Sequence, residues 1–119
     1  MAHVLLFGSS GFIGSQVRTE LTRDPAVERV TCPGRDRCDL VAAGVDELAS
    51  LVRELAPSVV VNCTGRLDGT AAELLTANTL VTAKLVEAAA RARDRGPDGG
   101  PAGRPIRLIR PWVTPTSAR

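Results

Sequence analysis

Three glycines near the start of the chain constrain its fold more than any other feature. Gly8, Gly11 and Gly14 stand between an apolar run, Val4 to Phe7, and a segment whose apolar residues recur at helical spacing. A strand that turns at once into a helix lets a phosphate approach the backbone where no Cβ intervenes, and the helix start offers free N–H donors. The sequence therefore predicts a strand-turn-helix unit that binds a pyrophosphate. The alternative phosphate loop, G-x-x-x-x-G-K-[ST], is excluded because no lysine follows the last glycine.

The length of the chain indicates one small domain, and its charge gives no indication of binding to nucleic acid or membranes. The 119 residues suffice for a single core. The 15 basic and 13 acidic residues nearly cancel and the arginines are scattered, so nucleic acid binding is not expected. Apolar windows fall short of the ~20 residues that span a membrane, and the N-terminus begins a strand where a signal peptide would need an apolar stretch. We expect a cytoplasmic protein that does not associate with membranes.

The three cysteines and the single histidine carry no signal for a disulfide or a metal site. Cys32, Cys38 and Cys63 are odd in number and lack C-x-x-C spacing. We expect Cys32 and Cys63 to be small apolar strand residues. His3 is expected to be solvated beside the first strand, and no metal site is predicted.

The apolar pattern after the glycine turn predicts a parallel α/β sheet. Alternation over 27–32 and an apolar run over 58–63 indicate strands, and helical spacing over 45–55 indicates a helix that Pro57 ends. The stretch between residues 32 and 39 is too short for a crossover and is predicted to be a loop. The resulting order, β-α-β-loop-α-β-α, is typical of a Rossmann-like sheet with helices on both faces.

A long helix is predicted after the third strand. Thr70 and Glu73 have the spacing of a capping box, in which each side chain can satisfy a backbone donor at the helix start.

The predicted strands and helices together assign residues 1–95 to one nucleotide-binding domain. Residues 96–119 are predicted to form a Gly/Pro-rich loop, a last strand at 106–109 and a flexible tail.

Further motifs follow the glycine turn in a characteristic order. The pair Asp39-Leu40, the strand end from Val61 to Gly65, and Asn78 within the long helix come one after another. Together with the turn they resemble the N-terminal half of an extended short-chain dehydrogenase/reductase, the NAD-dependent epimerase/dehydratase family. The short loop from Pro33 to Cys38 is similar to that of the dTDP-4-dehydrorhamnose reductases. The resemblance covers residues 1 to 92 and implies a Rossmann-like α/β fold truncated to its N-terminal half.

The resemblance implies that the turn holds the pyrophosphate of a dinucleotide. In the family the glycines form the turn, the serine hydroxyls donate to phosphate oxygens, and the two apolar residues line the dinucleotide where the helix starts. The corresponding cofactor-binding residues of this chain are Gly8, Ser9, Ser10, Gly11, Phe12, Ile13 and Gly14.

The resemblance also implies roles for residues farther along the chain. Asp39 would accept a hydrogen bond from the adenine amino group, with Leu40 near the ring. Asn78 matches an asparagine that supports a proton relay in the family; taken alone it is equally well a helix-surface amide. The strand end that would pass beneath the ribose is Cys63, Thr64 and Gly65.

A charged loop after the second strand bears on the choice of cofactor. Arg35 or Arg37 beside a ribose 2′-phosphate would favour NADP(H), because a guanidinium can bind this group through two parallel hydrogen bonds. Asp36 favours NAD(H), since an acid there would bind the 2′-hydroxyl. We expect NADP(H) to be favoured over NAD(H), with Arg35 as the cation; the alternative is a solvated charged loop.

The residues that the family's chemistry requires are missing from the sequence. The resemblance implies a tyrosine that exchanges a proton with the substrate and a lysine four residues later. The sequence has no tyrosine, and its only lysine, Lys84, lies in the long helix and is expected to be solvated. We therefore predict no catalytic residue and no hydride transfer by this chain alone.

Three interpretations stay open. The chain is the dinucleotide-binding half of a sugar-nucleotide reductase or epimerase, in a truncated or frame-shifted form; or it is a non-catalytic module that senses NADP(H) or docks onto a partner; or it is an α/β domain that binds no nucleotide. The first predicts an exposed sheet edge that a homo-oligomer or another partner would cover. The second predicts a cooperatively folding, self-sufficient domain.

Overall fold

Four parallel strands form the centre of the protein, seen in a computed structural model that describes residues 2–94 and 106–110. Leu5 of the first strand lies in register between Thr31 of the second and Val60 of the third. The predicted parallel sheet is confirmed, although the second strand ends one residue before Cys32. The strands, in the spatial order β2-β1-β3-β4, are β1 (Ala2–Phe7), β2 (Val27–Thr31), β3 (Val59–Asn62) and β4 (Arg107–Ile109).

Helices connect the strands and cover both faces of the sheet. The predicted long helix is continuous over 71–94 but contains one π-helical turn, a widening of the helix by one residue that the sequence pattern did not predict. The helix predicted over 45–55 is confirmed, and it ends where Ala56 adopts a left-handed φ of 47° just before Pro57. The helical elements are α1 (Phe12–Arg23), α2 (Val45–Leu55), α3 (Ala71–Leu75), the π-helical turn (Thr76–Leu80) and α4 (Val81–Asp94).

Alternation along β1 divides its side chains between two cores. Leu5 and Phe7 pack with α2 and α4, whereas Val4 and Leu6 pack on the α1 side of the sheet. The crossovers from β1 to β2 and from β2 to β3 therefore run over opposite faces, and β2 and β3 lie on opposite sides of β1. The carboxyl end of β1 is the point where the strand order reverses, which is where ligands bind in sheets of this kind.

The cysteines and His3 are part of the packing around the sheet. Cys32 and Cys63 pack against the α1-side core, but each lies one residue beyond the end of its strand and not within it as predicted. The His3 side chain is not simply solvated as predicted, because both ring nitrogens contact β2: Nε2 lies 2.8 Å from Thr31 Oγ1 and Nδ1 lies 3.2 Å from Arg29 Nη2. Burial, and then the Arg29 guanidinium, lower the pKa of His3 below its ordinary value. The ring ties β1 to β2.

The outer edge of the sheet is formed by β4, which confirms the predicted last strand. Among the described residues β4 pairs only with β3, and its Ile109 is 48% exposed. Coverage of this edge by a partner stays a prediction. The loop predicted over 96–103 and the tail from residue 111 lie outside the described residues. Within 2–94 and 106–110, the helices are too short or too polar to cross a membrane.

Candidate dinucleotide-binding site

The turn after β1 is held by direct contacts between backbone segments. Gly8 has a φ of 80°, in the left-handed region that favours glycine. A Cβ at Gly8 would lie 2.7 Å from the carbonyl carbon of Cys63, so the turn rests directly on the segment after β3. Gly14, in the first turn of α1, lies against Gly8, and a Cβ at Gly14 would be 1.7 Å from the Gly8 oxygen. These two glycines join β1, α1 and the end of β3 at one point.

Gly11, between them, has a different environment. A Cβ added there would find its nearest atom, the Gly8 oxygen, at 3.6 Å, which is an ordinary van der Waals distance. Its φ of −76° suits any residue, and the position is exposed. The packing of the described residues therefore does not require a glycine at position 11. A glycine would be required at position 11 only if a ligand approached the backbone there from outside the protein.

The start of α1 carries unpaired N–H donors and no negative charge. Gly11 is the N-cap, no side chain in the described part of the chain caps the helix, and its first turn contains no acidic residue. By contrast, α2 has Asp46 and Glu47 in its first turn, and Thr70 Oγ1 caps α3 by accepting from the N–H of Glu73. Free N–H groups and the positive end of the helix dipole attract an anion to the start of α1.

The other predicted residues of the turn lie around this helix start. Phe12 is 80% exposed at the first position of α1, while Ile13 is half-buried. Within the described part of the chain, the Ser9 and Ser10 hydroxyls make no hydrogen bond. Two hydroxyls and a solvent-exposed phenyl ring therefore flank the N–H donors.

The charged loop after β2 distinguishes its two arginines. The Arg37 guanidinium lies 3.2 Å from Glu54 Oε1 on α2, so this cation is held against the helix. Arg35 is exposed and makes no ion pair with a described residue. The Asp36 carboxylate lies close over Gly34, where a Cβ would meet its Oδ1 at 2.6 Å. Of the two arginines, Arg35 is the one whose side chain can turn to a ligand without breaking an ion pair of the described structure.

Asp39 opens a tight turn over residues 39–43, called the 39–43 turn below. Its Oδ1 accepts from the N–H groups of Val41 at 3.0 Å and Ala42 at 3.4 Å, and the residue is otherwise exposed. Leu40 is only 7% exposed and belongs to the core between the sheet and α2 and α4. The turn therefore presents the Asp39 carboxylate at the surface, and the Leu40 side chain anchors it from below.

Lys84 lies beneath the same turn, and the prediction that it is solvated is wrong. From α4 its ammonium donates to the carbonyl oxygens of Leu40 at 2.5 Å, Val41 at 3.2 Å and Ala43 at 2.8 Å. The side chain is half-buried. Lys84 thus fastens the 39–43 turn to the first turn of α4.

The segment after β3 is shaped by a buried amide. Asn62 is 1% exposed, and its Oδ1 accepts from the Thr64 backbone N–H at 3.0 Å and from the Thr64 hydroxyl at 2.5 Å. The Cys63 N–H donates to the Phe7 carbonyl at 2.9 Å, which continues the ladder to β1. Burial raises the pKa of the Cys63 thiol, so this strand end stays uncharged at neutral pH.

Asn78 lies in the π-helical turn, and its side chain makes two hydrogen bonds to the loop that follows β3. Its Oδ1 accepts from the Arg66 N–H at 2.8 Å, and its Nδ2 donates to the Arg66 carbonyl at 2.9 Å. Gly65 makes this approach possible, because a Cβ there would lie 2.8 Å from the same Oδ1. Arg110, just after β4, donates to the Asn78 carbonyl and to the Thr82 hydroxyl. The amide is thus engaged with a loop and is not free on the helix surface.

The predicted site residues follow the carboxyl ends of three neighbouring strands, which lie at one edge of a parallel sheet. The structure brings the turn from Gly8 to Gly14 into direct contact with the segment 63–65. Arg35 and Asp39 lie beyond the end of β2, and no hydrogen bond of the described residues links them to the turn. Lys84, Asn62 and Arg110 also shape this edge, and the sequence did not single them out for it.

Solved structures of known proteins have a similar fold. In the solved dTDP-4-dehydrorhamnose reductase of Clostridium acetobutylicum, the similar part is 21% identical, with a TM-score of 0.62 over 76% of this chain and 33% of that one. The Thermus thermophilus UDP-glucose 4-epimerase complex with NAD is 22% identical, with a TM-score of 0.59 over 76% of this chain and 34% of that one. The Bacillus anthracis dTDP-4-dehydrorhamnose reductase complex with NADP is 17% identical, with a TM-score of 0.60 over 76% and 33%.

These likenesses show the fold, and the chain spans about a third of the length of each of the three proteins. No curated protein matches the sequence. The sequence profile of the NAD dependent epimerase/dehydratase family matches residues 4–97, a range that contains every helix and strand of the structure except β4 and the first two residues of β1. The chain therefore belongs to the NAD dependent epimerase/dehydratase family.

Proposed function

We propose that residues 1–95 form a domain that binds an NAD(P) dinucleotide, with the pyrophosphate at the turn from Gly8 to Gly14. The observation that carries this proposal is the uncapped start of α1 beside Gly11, a glycine that the packing of the described residues does not need. The position of the turn, at the reversal of strand order, supports the same conclusion. So does membership of a family that is named for its dependence on NAD.

We expect residues around the turn to contact a dinucleotide along its length. The Ser9 and Ser10 hydroxyls and the N–H groups of α1 would donate to the phosphates, and Phe12 would cover the apolar side of the ligand. On one side, Asp39 would accept from the adenine amino group. On the other, the residues passing beneath the ribose would be those of the uncharged strand end, Cys63, Thr64 and Gly65, with Asn78 fixing the loop that follows them.

We propose that this chain alone binds the dinucleotide and does not reduce a substrate. A bound nicotinamide ring can donate or accept a hydride, but a side chain of the enzyme must exchange the accompanying proton with the substrate. The sequence contains no tyrosine for this step, and the ammonium of Lys84 is bound by three carbonyl oxygens of the 39–43 turn. The residues present would bind and orient the cofactor.

We propose NADP(H) as the preferred cofactor, with Arg35 as the residue that recognises the 2′-phosphate. The ion pair between Arg37 and Glu54 supports this choice, since it leaves Arg35 as the loop arginine without an ion pair in the described structure. Solved relatives of similar fold have been described in complex with NADP and with NAD, so the fold itself accommodates either.

Replacing Arg35 with alanine is expected to weaken NADPH binding by about tenfold and leave NADH binding nearly unchanged, because only NADPH carries the 2′-phosphate. Arg37→Ala is the matched control, since it removes an equal charge two residues away and should leave the preference intact. Isothermal titration calorimetry of both variants with both dinucleotides measures this. Equal losses for NADPH and NADH in Arg35→Ala would contradict the assignment.

The proposed function itself is tested by titrating the purified chain with NADPH and NADH, following the heat of binding and the fluorescence of the reduced nicotinamide. Saturable binding of NADPH with one site per chain, tighter than that of NADH, is the expected result. Absence of saturable binding of either dinucleotide at millimolar concentration would overturn the proposal and leave a plain α/β domain.

A further inference from the structure

The ammonium of Lys84 is fully coordinated by one short stretch of backbone. Its three oxygen neighbours, at 2.5, 3.2 and 2.8 Å, belong to Leu40, Val41 and Ala43, which matches the three N–H donors that an ammonium carries. None of the ion pairs of the described residues includes Lys84. The charge of Lys84 is therefore balanced by the dipoles of the 39–43 turn.

The 39–43 turn depends on this cation for its shape. Three carbonyl oxygens that point at one place repel each other unless a donor stands between them. Leu40 and Ala43 are 7% and 5% exposed, so both ends of this stretch are anchored in the core and the carbonyls cannot simply turn outward. The N–H of Ala43 donates to the Asp39 carbonyl at 2.8 Å and closes the turn. Loss of the ammonium would reorient the peptide groups that hold the Asp39 carboxylate.

We propose that Lys84 is a positioning residue for recognition of the adenine base. It fixes the 39–43 turn to α4 and thereby holds the Asp39 carboxylate where it accepts from the adenine amino group. Lys84 itself does not touch the dinucleotide, and its effect passes through the backbone of the turn. This inference rests on the proposed function and adds a residue that determines which base the site prefers.

The test compares NADPH with its hypoxanthine analogue, which has a carbonyl oxygen in place of the amino group of adenine. The wild-type chain is expected to bind NADPH at least about tenfold more tightly than the analogue, the lower end of the range for one hydrogen bond to a charged carboxylate. Lys84→Met keeps the apolar stem and removes the ammonium, and its ratio of dissociation constants should fall close to one. Asp39→Ala should give the same ratio.

Arg93→Met is the matched control. It removes a cation of similar length from an exposed position on the same helix and should keep the wild-type ratio. If Lys84 only stabilised the fold, Lys84→Met would lower the folded fraction of the protein. The ratio of the two dissociation constants would then stay unchanged, because both ligands bind the same folded molecules. Retention of the adenine preference in Lys84→Met would therefore overturn the inference while the proposed function stands.

A second readout needs no ligand. Hydrogen exchange of the Val41, Ala42 and Ala43 amides, which donate to Asp39, is expected to accelerate about tenfold or more in Lys84→Met and to stay unchanged in Arg93→Met. Unchanged exchange would overturn the inference. Absence of dinucleotide binding by the wild type would overturn the proposed function and the role in base recognition together, and exchange would still show whether Lys84 holds the turn. If Lys84→Met fails to fold, Lys84→Gln enters both assays with the same expected direction.

Discussion

Replacing Gly14 with alanine is expected to destabilise the protein by more than about 3 kcal/mol, or to prevent folding. The added Cβ would lie 1.7 Å from the Gly8 oxygen and 3.0 Å from the Ser9 Cα, both backbone atoms that cannot turn aside. Helix propensity alone predicts the opposite sign, a gain of about 1 kcal/mol for alanine over glycine inside a helix. Urea denaturation followed by circular dichroism measures the change in the free energy of unfolding.

Ser15→Ala is the control for this prediction. Ser15 is the next residue of α1, is exposed, and its hydroxyl bonds only to the Phe12 carbonyl among the described groups. Its replacement should change the free energy of unfolding by less than about 0.5 kcal/mol. A denaturation midpoint for Gly14→Ala at or above that of the wild type would show that α1 does not lie against Gly8 as described.

Replacing Gly11 with valine is expected to lower the affinity for NADPH by about 100-fold or more while the protein stays folded. The isopropyl group would stand over the uncapped N–H groups of α1 and separate them from the pyrophosphate, and each charge-assisted bond lost is worth about 1.5–3 kcal/mol. Its nearest neighbour at 3.6 Å leaves room for the first carbon of the side chain. Calorimetric titration measures the affinity, and thermal unfolding verifies the fold.

Gly44→Val provides a closely matched comparison. Gly44 is the N-cap of α2, with φ −80° and ψ 166° against −76° and 174° for Gly11, and no atom of the described residues lies within 4 Å of its added Cβ. Both substitutions replace a capping glycine in the same backbone conformation and should destabilise similarly, by about 1 kcal/mol. Only Gly11→Val should lose binding. Equal affinities for the two variants would remove Gly11 from the site.

The sequence predicts the sheet well because its signals are local. Apolar periodicity and the break at Pro57 are visible within windows of a few residues, and they place β1, α2 and β3 within a residue or two of the observed ends. The capping box is half confirmed: Thr70 caps α3, but the Glu73 carboxylate lies 3.2 Å from Arg66 and forms an ion pair with it. That partner belongs to a loop whose course the sequence does not fix.

The site itself depends on contacts between distant segments, and these are hidden in the sequence. Gly8, Gly11 and Gly14 form an even series, yet only the structure separates the two that are needed for packing from the one that is not. Lys84 appears as a lone surface cation because the carbonyls that bind it lie more than 40 residues earlier. Arg35 and Arg37 are likewise distinguished only by Glu54, 17 residues beyond Arg37.

The most direct test of dinucleotide binding at the glycine turn is the change in backbone amide chemical shifts of the wild-type chain as NADPH is added. We expect saturable shifts that are largest at the N-cap Gly11 and at Phe12 and Ile13, whose N–H groups begin α1, with smaller ones at Thr64 and Gly65. Saturable shifts confined to other surfaces, such as the outer face of α2, would contradict it, and so would the absence of any saturable shift at millimolar NADPH.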